Sequence, residues 1–442
     1  MRDSVAQGAQ KYGARCGEMT SQIDCAGTWR LETYRLNVAT PSIERGVALR
    51  DGTVARTAIR VDTKDAVDAS QDVLAEHFDR QYLRAIKWPR VGSGGRRVRV
   101  VDLFAGCGAM SLGIWEACRA VGAHMVPVMA LDFNQAALDV YKANFPSVWA
   151  VSNPIEMILD GKLGSRASGS ECDLVARLGR IDVLIGGPPC QGHSNLNNHT
   201  RRRDPKNRLY DRMARLAELV GPAHIIIENV SAVLHDKGMV VDRTISHLRS
   251  LGYSTDDSVV DAITLGVPQR RRRHFVVASR ERHPGIRTAV SAFARPERTV
   301  SWAIGDLSSV PLDGIFNKPG TPSPINRERI AYLFLNRLFE LPDEMRPDCH
   351  RSGEHSYKSV YGRLRPDSPA QTITSGLLSM GQGRYVHPTQ RRTISPHEAA
   401  RLQFIPDFFD FTSVSKRTAL AEMIGNAVPP RLAYALGVEL LR

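Results

Sequence analysis

Between Arg97 and about Ala278 the chain repeats one pattern: a short apolar run, a turn, then a stretch with apolar residues at helical spacing. The runs at 98–103, 125–131, 181–185, 224–230 and 275–278 have strand length and end on Gly, Asp or Glu or at a charged turn. Strands that alternate with helical segments pair in parallel through crossovers, so the expected fold class is α/β, a Rossmann-like, mostly parallel sheet with helices on both faces. Before this block lie short β-like pieces around 28–61 and a helical pattern over about 65–86, closed by Val91-Gly-Ser-Gly-Gly95. After it, from about Ser279 to Pro388, periodicity weakens and Pro, Gly, Arg and polar turns dominate, as in a smaller irregular inserted domain. From about Thr393 helical patterning resumes, and Ser395-Pro-His-Glu398 has the form of a capping box. The expected division is 1–95 as an N-terminal extension, 96–284 as the core, 285–390 as the insertion and 391–442 as helices returning to the core.

Composition narrows this picture. The 442 residues suffice for one large domain with an insertion, or for two to three smaller ones. A net charge of +13 favours a polyanionic partner such as nucleic acid. Seven cysteines, without paired spacing, suit neither a disulfide framework nor a zinc site, so no metal and a reducing compartment are expected. No apolar run is long enough to span a bilayer and no charged-then-apolar leader follows Met1, so the expectation is a soluble cytoplasmic protein without a membrane partner.

Candidate chemistry lies at the carboxyl ends of the strand-like runs, where open α/β sheets bind ligands. Ile181-Asp-Val-Leu-Ile-Gly-Gly-Pro-Pro-Cys-Gln-Gly-His-Ser194 delivers Cys190 on a turn stiffened by Pro188 and Pro189, as a nucleophile is presented. By itself a cysteine beside a turn is more often core than catalyst. The run from Val98 breaks at Gly106 and Gly108 and resumes as a helix, so the backbone there can approach a ligand closely. With Ala109-Met-Ser111 where a third dinucleotide-binding glycine would stand, pyrophosphate binding is disfavoured. Asp132, ending the next run, is placed to accept from ribose hydroxyls, and the two features suggest an adenosine-containing cofactor. The plainer reading of Asp132 is a capping acid for the helix after Asn134. Glu228 ends a buried run, where desolvation raises a carboxyl pKa, and its plainer reading is a structural acid at a helix N-terminus. In Gln269-Arg-Arg-Arg-Arg273, alternation in an extended segment directs Arg271 and Arg273 to one face and Arg270 and Arg272 to the other.

In this order these residues resemble the DNA (cytosine-5) methyltransferase family at six places. They are Asp102-Leu-Phe-Ala-Gly-Cys-Gly108, Gly187-Pro-Pro-Cys-Gln-Gly192, Glu228-Asn-Val230, Gln269 through Arg273, Arg392-Thr-Ile-Ser-Pro-His-Glu-Ala-Ala-Arg-Leu-Gln403 with Pro406-Asp407, and Ile424-Gly-Asn-Ala-Val-Pro-Pro430. The resemblance covers about Arg97 to Arg442, with the insertion corresponding to a target-recognition domain by position only. It implies a Rossmann-like S-adenosylmethionine-dependent methyltransferase core that forms S-adenosylhomocysteine. It further implies that Phe104, Gly106, Gly108, Asp132, Phe133, Asn153, Pro188, Leu209 and Asn426 hold the cofactor. Cys190, Glu228, Arg271 and Arg273 are the implied catalytic residues, with both arginines on the cytosine O2. Gln191, Ser194 and Arg201, Arg202 and Arg203 are the implied contacts to double-stranded DNA, although such an arginine run also reads as a solvated loop.

Three departures stand out: Asn153 for a usual aspartate, Ala109 for a glycine and His193 for a phenylalanine. The resemblance implies a monomeric, nucleoid-associated protein of a restriction-modification system or one acting alone. A tRNA methyltransferase could use the same core, but the size of the insertion favours DNA. A nicotinamide-linked dehydrogenase explains neither Pro188-Pro-Cys190 nor the arginine run. The N-terminal extension carries none of the family's residues, and its removal, residues 1–90, is expected to leave cofactor binding intact.

Overall fold

The computed structural model describes residues 30–61, 69–189, 209–236, 238–351 and 359–442. Seven strands form one sheet: β4 (Arg97–Leu103), β5 (His124–Leu131), β6 (Trp149–Val151), β7 (Val183–Gly186), β8 (His224–Val230), β9 (Ser254–Asp261) and β10 (Arg272–Ser279), in the order β6-β5-β4-β7-β8-β10-β9. Strands β6, β5, β4, β7 and β8 pair in parallel, and β10 runs antiparallel to both β8 and β9. The chain steps outward from β4 to β5 and β6, then returns to β7 on the other side. The order therefore reverses at β4/β7, the place where an open sheet leaves a crevice at its carboxyl edge. Val101, Leu103, Leu184, Ile225 and Ile227 pack one face of the sheet, and Val98, Val100, Ile185, Ile226 and Phe275 the other. Burial on both faces is why these runs read as continuously apolar.

Three further strands, β1 (Glu32–Asn37), β2 (Ser42–Ala48) and β3 (Val54–Arg60), form an antiparallel sheet beside the helix Gln71–Arg84. This extension is not set apart from the core. Leu31, Val47, Tyr82 and Leu83 belong to the same hydrophobic cluster as Val98, Ile114 and Leu436. Charge is buried with them: Glu32 contacts Arg295, Arg45, Arg431 and Tyr434, and Asp79 lies 3.3 Å from Arg431. Burial alone would raise the Glu32 pKa, yet Arg295, Arg431 and Arg45 hold it at about 2. The sequence-based expectation that removing residues 1–90 leaves cofactor binding intact meets a structural cost here. Their loss strips Arg295 and Arg431 of buried counter-charges, which is strongly destabilising.

The insertion also divides by packing. Ile286, Phe293, Val300, Ile304, Ile373 and Leu377 join the main core, whereas Ile330, Leu333, Leu341, Val360, Met380 and Val386 form a small cluster of their own. Its described residues hold short helices and isolated bridges but no strand, in keeping with the irregular pattern. The C-terminal residues then close the core. The Ser395/Glu398 capping box forms with Pro396 in the first turn, and Glu398 takes a bidentate pair from Arg392 at 2.6 and 2.7 Å. Helix Pro430–Leu441 lies on helix Ala109–Ala120 so closely that a Cβ on Gly113 would stand 2.2 Å from the Pro430 carbonyl.

Candidate active site

The crevice at β4 is shaped by backbone. After β4 the chain turns through Phe104 (φ 58°), Gly106 (φ 52°) and Gly108 (φ 92°), then enters the helix Ala109–Ala120. A side chain on Gly108 would be strained by that φ, and its Cβ would stand 2.8 Å from Tyr141. At Gly106 a Cβ would meet nothing within 4 Å, so the turn leaves open space above its main chain. Asp132 follows β5 and braces this turn: one oxygen accepts from the Gly106 N–H at 2.8 Å and the other from the Asn134 N–H at 2.8 Å. Burial raises its pKa against those hydrogen bonds. The helix cap proper belongs to Asn134, which accepts from the Ala137 N–H, so Asp132 is not simply a capping acid. Phe133 is 72% exposed beside it, a free aromatic face at the crevice. Asn153 is exposed just past β6, Asn426 is exposed at the end of helix Arg417–Asn426, and Leu209 is half-buried before helix Tyr210–Val220. A glycine turn open to solvent, an acid at the adjacent strand end and an exposed ring fit an adenosine cofactor.

The second half of the crevice is built on charge. Glu228, near the end of β8, is buried and takes the Arg273 Nε at 2.9 Å. Burial pushes its pKa up, while Arg273 and Arg271 pull the other way without overcoming it. The turn after β7 runs against this carboxyl, since a Cβ on Gly187 would stand 3.1 Å from Glu228 Oε2. Pro188 is buried, and its carbonyl accepts from Asn229 Nδ2 at 3.2 Å, which fastens the turn to the strand carrying Glu228. Cys190 follows Pro189 in the chain but lies outside the described residues, as do Gln191, Ser194, Arg201, Arg202 and Arg203.

The arginine run alternates as extended geometry requires: Arg270 and Arg272 are exposed, Arg271 is buried and Arg273 half-buried. The two inward arginines meet different groups. Arg273 meets Glu228, whereas Arg271 donates through Nη1 to the Ile373 carbonyl at 2.7 Å and through Nη2 to the Gly425 carbonyl at 2.9 Å. Arg271 thus joins β10 to the insertion and to the helix bearing Asn426, while its charge still reaches Glu228. Gln269 makes a parallel brace, accepting from the Ile373 N–H at 2.7 Å and donating to Gln403 at 2.9 Å and to the Leu402 carbonyl at 3.2 Å.

Sequence reasoning assigned no role to three of these residues. Asn229 and Gln269 were visible only as neighbours of Glu228 and Arg271 in the motifs, and their partners are distant in the chain. The third, Asp102, is fully buried under the glycine turn and accepts from Ser111 Oγ at 2.7 Å, with the Tyr141 hydroxyl 2.7 Å from the same Oγ. Burial pushes the Asp102 carboxyl up to about 8, with Ser111 opposing and Asp132 adding to the rise. Among the described residues no cluster of three or more His, Cys, Asp and Glu could hold a metal ion, and no helix is long and apolar enough to cross a membrane.

Comparison with known proteins agrees with this geometry. Residues 98–442 match the model of the C-5 cytosine-specific DNA methylases. The type II methyltransferase M1.BsuMI of Bacillus subtilis is 45% identical over 383 residues, 87% of this chain and 90% of its own length, a match that reaches into the residues before Val98. The type II methylase M.HgiDII of Herpetosiphon aurantiacus is 30% identical over 78% of this chain and 95% of its own. Among solved structures, the Dnmt2 methyltransferase of S. pombe superposes with a TM-score of 0.53 at 16% identity, over 77% of this chain and 97% of its own, a likeness of fold. The family's motifs, set along the carboxyl edge of one doubly wound sheet, and a match spanning 345 of the 442 residues make this chain a member of the C-5 cytosine-specific DNA methylase family.

Proposed function

We propose that the protein methylates C5 of cytosine in a specific short sequence of double-stranded DNA, as the modification enzyme of a restriction-modification system or acting alone. The observation that carries this reading is the buried Glu228 held by Arg273 beside the Gly187–Pro189 turn that leads into Cys190. C5 of cytosine is a weak nucleophile and needs electrons from a neighbouring bond. Cys190 supplies them by adding its thiolate to C6, which makes C5 enamine-like and able to attack an electrophilic methyl group. S-adenosylmethionine, when bound, supplies that methyl as a sulfonium and leaves as S-adenosylhomocysteine. Loss of the C5 proton then restores the C5–C6 double bond and expels the thiolate.

The remaining residues take the following proposed roles. Glu228, whose pKa burial raises, can hydrogen-bond N3 and the exocyclic amine of the base as charge builds on the ring. Arg273 can turn from Glu228 to the cytosine O2 and keep the thiolate ionised, while Arg271 contributes its field and positions β10 against the insertion. Phe104, Gly106, Gly108, Pro188, Leu209 and Asn426 would line the cofactor pocket, with Asp132 on the ribose, Phe133 against the adenine and Asn153 accepting from the adenine amino group. A base inside a duplex cannot reach such a crevice, so the target nucleotide is flipped out, with Gln191, Ser194 and Arg201–Arg203 closing over DNA. The functional division is 96–284 with 391–442 for catalysis and 285–390 for target recognition. The protein is proposed to work as a monomer in the cytoplasm at the nucleoid.

Bisulfite sequencing of DNA from a methylation-free bacterial host expressing the protein tests this reading, with Cys190→Ala as control. Methylated cytosines in one short context, absent from the control, are expected. Unmethylated DNA from a host making folded protein that binds S-adenosylmethionine would overturn it and direct the same assay to RNA.

A further inference from the structure

Between the N-terminal extension and the core lies a partly open cavity of about 10 Å³, room for about one water-sized occupant. Arg45, Asp79, Tyr82, Glu116, Arg431 and Tyr434 are among its walls. Each of these side chains belongs to a residue at least nine-tenths buried. Four donors on these walls, the Tyr82 hydroxyl, Arg45 Nη2 and Arg431 Nε and Nη2, have no well-aligned hydrogen-bond partner among the described residues, against one acceptor, Asp79 Oδ2; Arg45 Nη2 has Glu116 Oε1 2.8 Å away, which leaves three donors for the cavity. The joint is also out of charge balance. Among the described residues, Arg45, Arg119, Arg295 and Arg431 face only Glu32, Asp79 and Glu116 as buried acids, linked by contacts between 2.7 and 3.9 Å apart from one shorter pair, Arg295 with Glu32. Nearby Arg298 meets Glu76 at 3.1 Å, an acid it shares with Arg80. Burial holds the Tyr82 and Tyr434 hydroxyls neutral, so neither supplies the missing negative charge.

From this geometry we infer that the cavity is a binding site for one small monovalent anion, such as chloride, which closes the buried charge and ties the N-terminal extension to the catalytic core. A water has two acceptor positions for three donors and leaves the net positive charge buried, an expensive arrangement. A single anion accepts from Tyr82 and both Arg431 nitrogens and completes four cations with four anions. Tyr82 comes from the extension and Arg431 from the C-terminal helix, so the ion bridges two parts of the chain that meet only on folding.

The test is thermal unfolding of the full-length protein in chloride replaced stepwise by gluconate at constant ionic strength, alongside a crystal grown in bromide. Binding to the folded state alone raises the midpoint by roughly 2 °C for each tenfold rise in chloride above its dissociation constant. Bromide is expected to give an anomalous-scattering peak between Tyr82 and Arg431. Tyr82→Phe, which removes one donor and keeps the ring, is expected to weaken the chloride dependence. Equal midpoints in chloride and gluconate, or a bromide crystal with no peak in this cavity, would overturn the proposal in favour of a bound water or an anion held elsewhere. Either result is readable from the wild-type protein even if the variant does not fold.

Discussion

Two buried glutamates show how surroundings decide what a carboxyl can do. Glu32, in the joint, meets Arg45, Arg295 and Arg431 and the Tyr434 hydroxyl, and its pKa is held at about 2. Glu228, in the crevice, has one direct cationic partner among the described residues, Arg273, and its pKa is raised. Both are desolvated; the difference is the number of cations close enough to offset it. A surplus of arginine locks the first acid into its charged form as a structural tie. One close arginine does not overcome burial at the second, which suits the proposed role of hydrogen-bonding a ring nitrogen.

The contrast predicts opposite results for similar changes. The largest effect is expected from deleting residues 1–90, which removes Glu32 and Asp79 from beneath Arg295 and Arg431; the product should be insoluble or lack a cooperative unfolding transition by calorimetry. Glu32→Gln should cost about 3–5 kcal/mol in denaturant unfolding, because it leaves arginines buried without their charge. Glu228→Gln should lower the methylation rate by roughly 10² to 10⁴-fold. Its unfolding midpoint should stay the same or rise, and a loss of stability as large as that of Glu32→Gln would erase the distinction.

The pH dependences differ in sign as well. With a folded pKa of about 2 against an ordinary value of 4.5, Glu32 contributes stability that is complete above pH 4.5 and is lost as pH falls towards 2. For Asp102 the folded pKa of about 8 lies above its ordinary value of 3.8, so its contribution is complete below pH 3.8 and is lost as pH rises through 8. Asp102→Asn should remove that second slope, giving the smallest change of the set at low pH and a higher midpoint than wild type near pH 8. Parallel midpoint curves for the two proteins from pH 4 to 8 would count against a buried, protonatable Asp102.

What could be read from the sequence was what depends on near neighbours. Strand β8 was bounded from His224 to Val230 by its apolar run, the Ser395 capping box by residues three apart, and the Arg270–Arg273 alternation by strand geometry. Partners distant in the chain were not readable. Arg271 binds carbonyls 102 and 154 residues away, and Tyr434 reaches Glu32 across 402 residues, through contacts that no local period encodes. The joint was invisible for the same reason: Glu32 and Asp79 look like ordinary surface acids until the C-terminal helix covers them. The proposed cofactor half of the crevice was the more legible because Gly106, Gly108 and Asp132 act through local backbone, whereas the proposed base half is assembled from β7, β8 and β10.

The central claim is that Glu228 and Arg273 frame a base attacked by Cys190. It is tested most directly by intact-mass analysis of the protein incubated with S-adenosylmethionine and a duplex carrying 5-fluorocytosine at the methylated position. Fluorine replaces the proton that must leave, so addition and methyl transfer can occur but release cannot. The account predicts a stable protein–DNA adduct with wild-type protein, less with Glu228→Gln and none with Cys190→Ala. An adduct that persists in Cys190→Ala, or rapid methylation of ordinary cytosine with no trapped adduct, would contradict it.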